Sequence, residues 1–95
     1  MDLGKLQERM LIYSDVTGTE FGAIELHESG MRIKVDGKTL MVPDDYLERI
    51  TPERELALGK ALVKMVVYDV MGMKHELRFI LSGVHLATLK KRCRK

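Results

Sequence analysis

Met31, Ile33 and Val35 alternate with Arg32 and Lys34, the clearest pattern in the chain. A period of two puts apolar side chains on one face and cations on the other, as a half-buried strand requires. Asp36-Gly37 follows, and both residues tolerate positive φ, so a two-residue hairpin turn is predicted. Residues 39–42 then return as an antiparallel strand. Residues 21–26 read as another strand, preceded by the turn-forming run Asp15-Val16-Thr17-Gly18-Thr19. Near the start, Leu3, Leu6, Met10 and Leu11 suit either one face of a short helix or an arm entering a strand over residues 10–13.

Between residues 43 and 59 the period changes. Pro43-Asp44-Asp45 and Thr51-Pro52-Glu53 read as helix starts. Proline is tolerated in a first turn, and carboxylates there face the positive end of the helix dipole. One or two short helices are predicted, the second ending near Gly59. Val63, Val66, Val67 and Val70 argue a strand over residues 61–70, because β-branched side chains favour pleated surfaces. Leu58, Leu62 and Met65 share helical spacing, so a helix running on from Thr51 is the rival. Residues 71–74 read as a hairpin loop. Over residues 75–81, Leu77, Phe79 and Leu81 alternate with Glu76, Arg78 and Ile80, a further strand. Ser82 or Gly83 then caps a final helix with the apolar stripe Val84, Leu86, Ala87 and Leu89.

This order predicts a mainly β, single domain over residues 1–95. The expected architecture is a small antiparallel β-barrel with a short helical insertion and a C-terminal helix laid over one open side. The chain is 95 residues long, 45% hydrophobic and 32% charged, too apolar for a disordered segment. No apolar run approaches the ~20 residues of a membrane span. No positively charged start precedes an apolar stretch, so no secretory signal is expected. Cys93 is the single cysteine, which excludes an intramolecular disulfide and fits a cytoplasmic setting.

Charge sharpens the picture. Residues 1–89 carry eleven basic and fourteen acidic groups, whereas Lys90, Lys91, Arg92, Arg94 and Lys95 form a basic tail. Such a tail complements the negative end of the helix dipole, and it also suits nucleic-acid phosphates, an acidic membrane surface or an acidic protein. The aromatics are Tyr13, Phe21, Tyr46, Tyr68 and Phe79; none lies in the tail, which argues against base stacking. A small β-barrel nucleic-acid binder using Arg32, Lys34 and the tail is therefore the alternative reading. His27, His75 and His85 lie far apart, with no zinc-ligand spacing, nucleophile elbow or phosphate-cradling glycine loop. An enzyme is not expected and no cofactor is required. Met31, Met41, Met65, Met71 and Met73 read as gap fillers of a small core; Met71 and Met73 flank Gly72, and if exposed instead they would mark a partner-binding surface.

The stretch Glu20-Phe21-Gly22-Ala23-Ile24-Glu25-Leu26-His27-Glu28-Ser29-Gly30-Met31-Arg32-Ile33 resembles the centre of a PilZ domain. The family motif Asp/Asn-x-Ser-x-x-Gly would fall on Glu25, His27 and Gly30. The upstream pair of arginines, with three residues between them, has its counterpart in Lys5 and Arg9. The ending, His75-Glu76-Leu77-Arg78-Phe79-Ile80-Leu81-Ser82, is also similar to the family's last strand and helix. The resemblance implies a six-stranded barrel and a signalling adaptor that acts through a protein partner. It implies cyclic di-GMP as a ligand, with Lys5 and Arg9 on phosphate or a guanine edge and Glu25, His27 and Gly30 opposite.

Overall fold

A computed structural model describes residues 3–15 and 19–93. Among the described residues seven strands precede one α-helix: β1 (Leu6–Tyr13), β2 (Glu20–His27), β3 (Gly30–Val35), β4 (Lys38–Pro43), β5 (Leu47–Glu55), β6 (Lys60–Tyr68), β7 (Lys74–Ser82) and α1 (Gly83–Arg92). They form one sheet of order β4-β3-β2-β1-β7-β6-β5, antiparallel throughout.

Alternation sets the register. Met10, Ile24, Ile33 and Leu40 face one another across β1 to β4. In the other half, Pro52, Val63 and Phe79 line up across β5, β6 and β7. Inward side chains from both halves join Leu86 and Leu89 of α1 in one core. A slip by one residue in either half would turn this set to solvent, so burial fixes the pairing. At the β3–β4 turn, Asp36 (φ 48) and Gly37 (φ 72) take the left-handed conformations predicted.

The expected barrel does not form. β4 and β5 are the two edges of the sheet and do not pair with each other. β1 and β7 meet at a single position, Tyr13 opposite Ile80. The chemistry of the edges explains the opening. Pro43 ends β4 and Pro52 sits within β5, and neither has an N–H to donate to a further strand.

The helical insertion is also overturned. Residues 47–55 are strand β5, and the helical residues around it are two three-residue 3₁₀ turns, Asp44–Tyr46 and Ala57–Gly59. Bulges between Leu47 and Arg49 and between Pro52 and Arg54 break the period of two, so β5 does not read as a strand. The rival helix from Thr51 is absent, because β5 turns at Leu58 and Gly59 and returns as β6. β6 ends at Tyr68, short of Val70. Near the start, the arm alternative holds, since Leu6 already lies in β1. Val16, Thr17 and Gly18 of the predicted first loop lie outside the described residues.

Ser82 caps α1 by accepting from the His85 N–H at 3.3 Å. Leu86 and Leu89 are buried, but Val84 is 76% exposed and does not belong to the packed stripe. Lys90, Lys91 and Arg92 occupy the last turn, where the dipole favours cations.

Candidate functional site

The β2–β3 turn carries the motif residues, and backbone contacts occupy most of them. The Lys5 N–H donates to the Glu28 carboxylate at 2.7 Å, and the Glu28 N–H donates to the Lys5 carbonyl at 3.1 Å. The buried His27 donates from Nδ1 to the Gly4 carbonyl at 3.0 Å. Ser29 donates from both its N–H and its hydroxyl to the Leu3 carbonyl. His27 and Ser29 thus hold the arm formed by residues 3–5 against the sheet. Gly30 is not at positive φ. It is required for space: an added Cβ would lie 2.7 Å from the Val42 carbonyl and 2.8 Å from the Pro43 Cα.

The predicted ligand residues are spread over the arm (Lys5), β1 (Arg9), β2 (Glu25, His27) and β3 (Gly30). Arg9 lies opposite Glu25 in the β1–β2 register, with 3.8 Å between Nε and the carboxylate. Lys34 reaches the same carboxylate at 3.3 Å, and Arg32 sits opposite Glu25 on the other side. The basic strip of β3 is thus partly neutralised by one glutamate. Of Lys5, Arg9, Glu25, His27 and Gly30, only Arg9 lines one of the four main clefts.

One residue of the tail does reach the motif. The Arg92 guanidinium donates to the His27 carbonyl at 2.6 Å, the Gly30 carbonyl at 3.4 Å and Gln7 at 2.7 Å, and pairs with Asp44 at 3.0 Å. It forms one wall of a cleft of about 320 Å³ that also holds Glu28, Ser29, Asp44 and Asp45. Lys90 and Lys91 are exposed. Arg94 and Lys95 lie outside the described residues. Cys93 is half-buried against the core, with Sγ directed at the Glu48 carbonyl.

The β6–β7 hairpin builds a second site. Met71 is 82% exposed and Met73 62%, with Val70 beside them. Asp69 fixes this tip. Its carboxylate accepts from the N–H groups of Met71 at 2.8 Å and Met73 at 3.0 Å, and from His75 Nε2 at 2.8 Å. These bonds, the His75 contact foremost, hold the Asp69 carboxyl below its usual pKa. Tyr46 and Tyr68, both partly exposed, flank a shallow groove beside Gly72, with Asp45 and Glu48 on its rim. Sequence reasoning marked Met71 and Met73 but missed the Asp69–His75 clasp. An aspartate opening a glycine-containing turn is the signal that carries it.

Among the described residues no group of three or more His, Cys, Asp or Glu side chains is placed to hold a metal ion. Nor is any described helix long and apolar enough to cross a membrane. Compared with protein-family models, curated proteins and solved structures, the chain matches none.

Proposed function

We propose that this chain is a protein-binding adaptor that docks through the β6–β7 tip. The carrying observation is a pair of exposed methionines on a loop whose backbone is already fixed. Methionine fills irregular apolar surfaces, and a loop held in advance loses little freedom on binding. Tyr46 and Tyr68 extend the surface with aromatic edges of the type enriched at interfaces. Asp45 and Glu48 rim the groove, so the fitting partner presents an apolar segment flanked by lysine or arginine.

Cyclic di-GMP, implied by the PilZ resemblance, draws less support. Lys34 is tied to Glu25 at 3.3 Å, and Glu28, Asp44 and Asp45 line the cleft beside Ser29. Nucleic acid fares similarly, since the same glutamate engages the β3 strip.

Amide chemical shifts, followed during titration with a synthetic leucine peptide flanked by lysines, test the adaptor reading. Shifts at residues 69–74 and Tyr46 are expected. Met71→Asp combined with Met73→Asp should weaken binding at least about tenfold, as loss of central anchors does. Both side chains are exposed, so the unfolding midpoint should stay unchanged. Unperturbed tip amides, or full binding by the double variant, would overturn the proposal.

A further inference from the structure

A separate cleft opens on the outer face of the sheet, where β1 and β7 part. Tyr13 faces Ile80, the one position at which the two strands pair. Ser82 is the last residue of β7, and on its other side it pairs with Lys60 of β6. Beyond it the chain turns into α1, so β1 runs on past the end of its neighbour. The resulting cleft of about 310 Å³ is lined by Arg9, Leu11, Tyr13, Lys60, Ser82 and His85.

Its lining is cationic and rich in donors. Arg9 and Lys60 bring two positive charges, and among the described residues no carboxylate belongs to the wall. Glu25 approaches Arg9 at 3.8 Å and offsets part of one charge. The Lys60 ammonium stands 5.0 Å from the Tyr13 ring centroid, which steadies it over the cleft. His85 keeps Nδ1 buried without a hydrogen-bond partner among the described residues. Ser82 and His85 also belong to the start of α1, whose dipole favours negative charge there. Leu11 and the Tyr13 ring supply an apolar wall.

We propose that this cleft binds a phosphoryl group carried by a small organic molecule. An arginine fork, an ammonium and an imidazole converging from three elements suit an oxyanion with several acceptors better than a planar carboxylate. The volume lies at the lower end of the range for small-molecule sites. The proposal is independent of the hairpin tip, at which none of these six residues lies.

The test follows amide shifts of the full chain with phenyl phosphate, inorganic phosphate and benzoate. Phenyl phosphate should perturb Tyr13, Lys60 and His85, and bind more tightly than either of the others. Lys60→Gln should weaken it about tenfold, as loss of a charged hydrogen bond does. Lys38→Gln, on the β3–β4 hairpin, should leave it unchanged. Equal binding of inorganic phosphate would overturn the organic carrier, and equal binding of benzoate the phosphoryl assignment. Absence of shifts at millimolar phenyl phosphate, or indifference to Lys60→Gln, would overturn the site itself.

Discussion

Asp69 concentrates more local order than any other side chain at the hairpin tip. It receives two backbone donors and one imidazole. Because these favour the ionised form, its folded pKa lies below the ordinary value of 3.8. A depressed carboxylate stabilises fully above its unfolded pKa and loses that contribution as the pH falls through the folded value. The tip should therefore stay ordered at mildly acidic pH and loosen only below 3.8. A carbon-13 titration of the Asp69 carboxyl should give a midpoint under that value, with faster amide exchange at Met71 and Met73 on the same curve. A midpoint at or above 3.8 would show that the clasp is not formed in solution. Motif residues tell a different story at this scale. His27 and Gly30 are used by the fold, one as a tie to the arm and one as a gap for the Val42 carbonyl. A sequence pattern cannot separate such uses from ligand contact, because both call for the same residue types.

Among the elements, legibility follows regularity. β3 and its turn are plain in the sequence because alternation and Asp36-Gly37 agree. β5 is hidden because two bulges shift its inward positions and because Thr51-Pro52-Glu53 imitates a helix start. Pro52 fits a strand here only because β5 is an edge, a fact that belongs to topology and not to local sequence. The turn after β5 holds a cost of its own. Leu58 adopts φ 63 although it is 92% exposed. A left-handed conformation costs a branched residue about 1–2 kcal/mol, and exposure leaves no burial to offset it. Asparagine tolerates this region better, so Leu58→Asn should stabilise the protein by about 0.5–1 kcal/mol. Urea unfolding at constant slope measures this, and a lower midpoint would refute it.

At the scale of the molecule, one core joins two half-sheets that share a single strand-pair position. Packing, and not the hydrogen-bond ladder, therefore holds the halves together at the β1–β7 seam. Arg92 adds a polar tie, bringing α1 to Gln7, His27, Gly30 and Asp44. In the sequence it is one cation in a basic run. Its role was illegible because two of its acceptors are main-chain carbonyls more than sixty residues away, which no side-chain pattern announces. Charged hydrogen bonds to groups that then lie unpaired are worth about 2 kcal/mol, so Arg92→Ala should lower stability by about that amount. Arg92→Lys, a point charge without the fork, should recover less than half of it. The tie also has a kinetic meaning. Its partners lie between 48 and 85 positions from Arg92, so it is expected to close after the strands it joins are in place. Bonds made after the folding barrier leave refolding speed untouched and govern how fast the native state opens. In stopped-flow chevrons, Arg92→Ala should refold at the parent rate and unfold about thirtyfold faster. One guanidinium would then set the lifetime of the folded molecule while contributing nothing to the speed with which it forms.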